Sequence, residues 1–147
     1  MGAWGVGMQA NDDALDAIGS AGLSSGDPKK QKRTLAALRQ GKITLKSLLN
    51  SHRSYPAGWI KKEPMALLGL SEYLLDEGFD LKPIMPLAKK LLRSELAKRR
   101  LECWADLEER KDALLRFRDR LNGKKVPQEL LDQDNEGLFS KMAKVLG

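Results

Sequence analysis

The fold of this chain is decided in residues 64–78, which read PMALLGLSEYLLDEG. Pro64 suits the first turn of a helix, where its missing N–H has no partner to lose, and Gly78 suits the position after a helix ends. The apolar residues between them lie on most sides of a helical wheel; they are Met65, Leu67, Leu68, Leu70, Tyr73, Leu74 and Leu75. A helix that is apolar on most sides is buried. The stretch therefore predicts a central helix.

A second long helix is predicted from about Pro83 or Pro86 to Cys103. Its apolar side carries Ile84, Ala88, Leu91, Leu92, Leu96 and Cys103, and its basic side carries Lys89, Lys90, Arg93 and Arg100. Glu95 and Arg99 fall in the apolar sector, four residues apart with the acid first, which is the favourable order for an ion pair on a helix. We expect a partly buried Glu95–Arg99 salt bridge, with Cys103 as small core filler.

Capping and turn residues predict the remaining helices. Asn11 precedes acids in what would be a first helical turn, and Asp106 is followed three residues later by Glu109, as in a capping box. The other predicted segments are Thr34–Gln40, Thr44–Asn50, a helix after Asp106 that Asn122-Gly123 closes, and a piece from Pro127 interrupted near Gly137. No run shows sustained two-residue alternation. The predicted fold is all-α, a compact bundle of about five to six helices with an irregular N-terminal Gly/Trp segment.

The length of 147 residues, of which 41% are hydrophobic and 31% charged, predicts a single helical domain over 1–147. It divides into an acidic N-terminal motif and loop (1–28), a basic segment (29–62) and a helical core (63–147). The longest stretch without a charged residue is 1–11, short of the roughly 18 residues that a membrane span needs. Neither a signal peptide nor a myristoylation site fits the N-terminus, since Val6 stands where Ser or Thr is required. We expect a soluble protein of the cytoplasm, or of a virion.

Little in the sequence points to catalysis. His52 and Cys103 are each the sole residue of their type, too few for a four-ligand zinc site or an evident triad. Gly5 to Ala10 matches a dinucleotide fingerprint but follows no strand, and the calcium-like stretch from Asp132 has Ala143 where the bidentate Glu belongs. We expect no enzyme, cofactor or metal. The alternative is an enzyme whose pocket gathers Asp12, Asp13 or Asp16 with His52.

The charge distribution is the strongest compositional signal. The net charge is +6, yet residues 29–62 hold ten bases and no acid, while residues 1–28 and 63–81 hold nine acids and no base. The ten bases are Lys29, Lys30, Lys32, Arg33, Arg39, Lys42, Lys46, Arg53, Lys61 and Lys62, with Tyr55 and Trp59 between them. Phosphate backbones attract such surfaces, and aromatic rings can stack on unpaired bases. Two alternatives are that the acidic segments neutralise the bases and that an acidic protein binds them.

The opening of the chain resembles a family of small, mostly bacterial proteins. It reads Met1-Gly2-Ala3-Trp4-Gly5-Val6-Gly7 and then Asn11-Asp12-Asp13-Ala14-Leu15-Asp16, which is similar to the Trp-Gly-x-Gly and Asn-Asp-x-Ala-x-Asp opening of domain-of-unknown-function family 4259. Ser94-Glu95-Leu96, Trp104 and 114–121 also look like that family's closing helices. The resemblance implies a compact helical fold and supplies no reaction. Gly5 and Gly7 would permit a tight turn or close approach, Trp4, like Trp104, would anchor the core, and Asn11 would cap the first helix.

These observations predict a non-enzymatic helical protein that docks to a macromolecular partner, a protein or a second copy. A bacterial or phage assembly is the setting that the resemblance favours. The alternative is a nucleic-acid-binding accessory protein. Both functions would use the bases of 29–62 together with Lys89, Lys90, Arg93 and Arg100. For Trp59 two interpretations stay open, a core anchor or an exposed contact residue. We expect neither a membrane nor a small-molecule substrate as partner.

Overall fold

A computed structural model describes residues 5–51 and 55–135 of the chain. These ranges hold nine α-helices and one 3₁₀ turn, which confirms the predicted all-α class. The helices are α1 (Asp12–Ser20), α2 (Pro28–Arg39), α3 (Leu45–Leu48), α4 (Trp59–Lys62), α5 (Pro64–Asp76), α6 (Met85–Leu96), α7 (Lys98–Leu101), α8 (Leu107–Leu121) and α9 (Gln128–Asp134), with the 3₁₀ turn at Lys82–Ile84. Six of the nine are seven residues or longer, against a prediction of about five to six helices; α3, α4 and α7 are single turns. Trp4, His52, Arg53 and the break near Gly137 lie outside the described residues.

Helix α5 is central, as the sequence predicts. It begins at Pro64, and Gly78 follows its end with a φ of +86°, a left-handed conformation that suits glycine. Helices α1, α4 and α6 pack on α5, and α8 packs on α6. At the crossing of α1 and α5, Gly69 lies so close to Ala14 that a side chain at residue 69 would overlap its Cβ. The missing side chain of Gly69 therefore sets how closely the two helices approach.

The predicted helix from residue 83 or 86 to 103 is broken in the structure. Ala97 is extended, with φ −62° and ψ +140°, so α6 ends at Leu96 and a separate turn, α7, follows. Because of this break Cys103 is exposed, and the prediction that it fills the core is wrong. The helical wheel assumed a continuous helix and therefore put Cys103 on the wrong side.

The predicted N-caps differ in outcome. The Asn11 side chain accepts a hydrogen bond from the N–H of Ala14 at 2.7 Å, which confirms it as the cap of α1. Asp106 stands at the N-cap position of α8, but its side chain makes no capping bond, so the predicted capping box with Glu109 is wrong. The basic segment is more helical than predicted, because Asp27 caps α2 and starts it at Pro28 rather than near Thr34.

No helix among the described residues is long and apolar enough to cross a membrane.

Candidate functional site

The bases of the 29–62 segment lie on the protein surface. Nine of the ten are described, and all nine are exposed; they are Lys29, Lys30, Lys32, Arg33, Arg39, Lys42, Lys46, Lys61 and Lys62. Within the described ranges one of them forms an ion pair, between Arg39 and Glu77 at 3.5 Å. The acidic segments therefore leave most of this positive charge facing solvent.

These bases form more than one cluster. Helix α2 lies toward the C-terminal end of α5, where the Gln31 side chain donates to the Tyr73 hydroxyl at 2.9 Å and Arg39 meets Glu77. Lys61 and Lys62 precede the first residue of α5, whose helix rises about 18 Å from Pro64 to Asp76. The exposed bases are thus distributed along the length of α5.

The densest cluster, which we call the α2 patch, consists of Lys29, Lys30, Lys32 and Arg33. These four cations occupy the first turns of α2, and the first turn contains no acid. The N-terminal end of a helix carries a partial positive charge, so the two cations of the first turn, Lys29 and Lys30, are unfavourable there by roughly 0.3–1 kcal/mol each at low ionic strength, and the Asp27 carboxylate at the N-cap opposes this effect.

Trp59 and the four bases predicted on the second long helix differ in exposure and in their partners; Arg100, one of these bases, lies in α7. Trp59 is half-buried and stacks on the Tyr55 ring with centroids 4.2 Å apart, so it is neither a fully buried anchor nor a free stacking surface. Lys90 and Arg93 are exposed and Lys89 is half-buried. Arg100 binds Glu95, and Nη2 lies 3.0 Å from Oε1. The charge of Glu95 raises the pKa of Arg100, and this pair replaces the predicted Glu95–Arg99 bridge.

A buried ion pair joins α6 to α8. Glu95 and Arg110 are 2% and 1% exposed, and Arg110 Nη2 lies 3.5 Å from Glu95 Oε2. Arg110 also donates to the Val6 carbonyl at 2.9 Å and lies over the half-buried Trp104 ring, 4.3 Å from its centroid. Burial lowers the pKa of Arg110 and the charge of Glu95 opposes that shift, so the guanidinium remains the buried cation.

Sequence reasoning missed Arg110, although a signal for it exists. On α8 the buried residues are Arg110, Ala113, Leu114, Phe117 and Leu121, which share one side of the helix. An arginine on an otherwise apolar stripe indicates a buried partner of opposite charge.

The glycine motif, residues 5–7, contacts the C-terminal end of α9. The N–H of Gly7 donates to the Asp134 carbonyl at 2.6 Å, and a Cβ on Gly7 would overlap the Asn135 side chain. This confirms the close approach expected of Gly7. Asn135 in turn accepts from the N–H of Gln9 and donates to the buried carboxylate of Glu72, whose pKa is raised chiefly by burial. In the described residues, the motif acts as a clamp between α9, α8 and α5.

A groove of about 1020 Å³ lies beside this clamp. The first residues of α1, α5 and α8 open onto it, and Val6, Met65, Trp104 and Leu130 give it apolar walls. Its acidic lining consists of Asp12, Asp13, Glu63, Glu95, Asp106, Glu109, Asp112 and Asp134. Glu95 and Asp134 pair with Arg100 and Arg116, two arginines that also line the groove, and the other six form no ion pair within the described ranges. We call this feature the acidic groove.

The residues proposed for an alternative catalytic pocket are only partly assembled. Asp12 and Asp13 line the groove, as Gly5 does, whereas Asp16 accepts a hydrogen bond from the Tyr55 hydroxyl. The described part of the chain holds no group of three or more His, Cys, Asp or Glu residues arranged to bind a metal ion. What the geometry defines is an all-α protein with an exposed cationic helix and a separate acidic groove.

Comparison with known proteins identifies no relative: no family model, curated protein or solved structure matches the chain. The resemblance to domain-of-unknown-function family 4259 therefore stays a prediction that rests on the opening residues.

Proposed function

We propose that this chain is a non-enzymatic helical interaction protein that docks to an acidic macromolecular partner, as a subunit or accessory factor of an assembly. The observation that carries the proposal is the α2 patch, four exposed cations without an ion-pair partner among the described residues. The setting we infer, from the resemblance in the opening residues, is a bacterial or phage-infected cell, or a virion.

The energetics of α2 support a role in docking. Cations in the first turn of a helix are unfavourable for it, and here the α2 patch faces solvent while Gln31, Thr34 and Leu35 turn toward the rest of the protein. An anionic partner would reverse the sign of this interaction, because it would place negative charge at the positive end of the helix. A bound anion would add to the favourable negative charge that Asp27 already places at this end of α2.

A protein surface is the first candidate partner, and nucleic acid is the second. Exposed lysines outside α2 favour the second, since a phosphate backbone contacts many separated cations; they are Lys42, Lys46, Lys61 and Lys62. Trp59 is half-buried against Tyr55 and so offers a single strand little ring surface of its own, while Tyr55 is 38% exposed. Duplex DNA, which needs no ring to stack on, is the first nucleic acid to test.

Fluorescence anisotropy with two labelled probes tests the proposal: a polyglutamate peptide and a DNA duplex, each at low and near-physiological salt. The test variant reverses Lys29, Lys30 and Lys32 to Glu. The control reverses the exposed Lys82, Lys124 and Lys125 to Glu, an equal change in net charge.

We expect the wild type and the control to bind polyglutamate and the α2 variant to lose at least about tenfold in affinity, a change of 1.4 kcal/mol. If the wild type binds the duplex more tightly than polyglutamate, and its affinity for the duplex falls steeply as salt rises, nucleic acid becomes the favoured partner. Binding to neither probe, or equal losses in both variants, would overturn the proposal.

A further inference from the structure

The acidic groove has the chemistry of a receptor for a cationic helix. Six of its carboxylates form no ion pair within the described ranges, and the apolar walls include Trp104 and Met65. The groove acids Asp12, Asp13 and Glu109 stand in the first turns of α1 and α8, where the helix dipole favours negative charge. The helix dipoles therefore favour the negative charge of the groove, whereas the dipole of α2 disfavours Lys29 and Lys30 in its first turn.

The α2 patch cannot fill the groove of its own chain. Asp12 and Asp13 stand at the start of α1, while α2 lies beside the opposite end, where Lys30 packs against Gly22 and the Gln31 side chain donates to the Leu23 carbonyl at 3.1 Å. Helix α1 rises about 12 Å between its first and last residues. One chain therefore presents opposite charges at the two ends of α1.

We propose that the acidic groove binds the α2 patch of a second copy of this chain. The inference rests on the proposed function, because it uses the same cations of α2, and it names the acidic partner as another molecule of the same protein. Charge complementarity supports this inference: one surface carries four exposed cations, and the other carries six carboxylates without ion pairs.

The contact is head-to-tail, since the two surfaces that meet are different. Each copy that binds through its α2 patch keeps a free groove for the next copy. Contacts of this type close into rings or extend as filaments rather than stopping at a twofold dimer. Association through surface charges also weakens as salt rises, because the Debye length falls from about 10 Å at 0.1 M to about 3 Å at 1 M.

Sedimentation velocity of the full chain, at about 0.05 M and about 0.5 M NaCl, provides the test across this screening range. The patch variant is Lys29→Glu/Lys30→Glu/Lys32→Glu, and the groove variant is Glu109→Lys/Asp112→Lys. The matched control, Glu108→Lys/Glu129→Lys, makes the same charge change at exposed positions that do not line the groove. Circular dichroism at 222 nm establishes that every variant keeps its helix content.

We expect the wild type and the control to form salt-sensitive oligomers and each variant alone to sediment as a monomer. An equimolar mixture of the two variants is expected to associate again, because the intact patch of one meets the intact groove of the other. A monomeric wild type at low salt, or a mixture that stays monomeric, would overturn the inference.

The groove variant separates this inference from the proposed function. Its α2 patch is unchanged, so it is expected to bind the polyglutamate probe as the wild type does. A wild type that binds polyglutamate but never self-associates refutes the groove as the receptor and leaves the docking role of α2 intact. Failure to bind the probe refutes the proposed function itself.

Discussion

The buried Glu95–Arg110 pair makes a sharp energetic prediction. Both side chains are almost fully buried and their charged ends are 3.5 Å apart, so removing one partner leaves the other as a buried charge. Breaking a buried pair in this way costs about 3–5 kcal/mol, whereas replacing both partners by apolar residues of similar volume is often neutral. The prediction concerns Glu95→Met, Arg110→Met and the double variant.

The neighbours of the pair set the order of the effects. After Arg110→Met, Glu95 still accepts from Arg100 at 3.0 Å, so we expect a loss near the lower limit, about 3 kcal/mol. After Glu95→Met, Arg110 has no carboxylate and keeps the Val6 carbonyl and the Trp104 ring, so we expect a loss of about 4 kcal/mol. The double variant is expected to lose less unfolding free energy than either single variant. About 1 kcal/mol of the loss in the double variant comes from the Val6 carbonyl, which no longer has a hydrogen-bond donor.

Urea unfolding followed by circular dichroism at 222 nm measures the four free energies of the cycle. Equal m-values are required, since a changed slope would mean that the unfolding reaction itself differs. We expect a coupling of more than about 4 kcal/mol, because the double variant loses less than the smaller of the two single losses. Additive losses would refute it, because they would show that Glu95 and Arg110 do not interact in the folded protein.

Three further predictions follow from single side chains. Burial raises the pKa of Glu72 in the folded protein. Protonation of Glu72 therefore stabilises the folded state. This contribution is complete below the unfolded-state pKa of about 4.3 and is lost as the pH rises through the folded-state pKa. Glu72→Gln is therefore expected to unfold at higher urea than the wild type at pH 7, with the difference shrinking on acidification; an unchanged pH dependence would contradict it. Gly69→Ala is expected to cost about 2 kcal/mol, because overpacking against Ala14 and the Met8 carbonyl outweighs the gain of about 1 kcal/mol in helix propensity. A raised melting temperature would contradict this prediction, because it would show that α1 moves away from residue 69 at little cost in free energy. Asn11→Ala is expected to lose about 1 kcal/mol of unfolding free energy and Asn11→Ser to recover most of it; equal losses would exclude the cap as the cause.

Much of the architecture could be predicted because it depends on local chemistry. The central helix α5, the Asn11 cap and the helix that ends before Gly123 each rest on residues within a few positions of one another. Such signals need only the helical repeat and the conformational preferences of single residues. The break at Ala97 left no such signal, so the prediction of one helix through Cys103 was wrong.

The candidate site was less predictable, because its parts come from distant segments. The sequence indicated the cations of α2, since a run of bases is visible in any composition count. The acidic groove escaped notice because its lining comes from α1, α5, α6, α8 and α9, and none of these contributions is unusual alone. Arg110 escaped notice because an arginine on a helix is ordinarily exposed.

By itself, then, the sequence determined that the chain folds into helices, which helix lies at the centre and where positive charge is concentrated. Those properties follow from periodicity and composition, which act along the chain. The tertiary structure alone decided that Glu95 pairs with Arg100 and Arg110, that Gly7 meets α9, and that acids from distant helices share one groove. Glu95 and Arg100 lie five residues apart, on either side of the helix break at Ala97. The other contacts join residues farther apart in sequence, and only the packing of helices brings these within bonding distance.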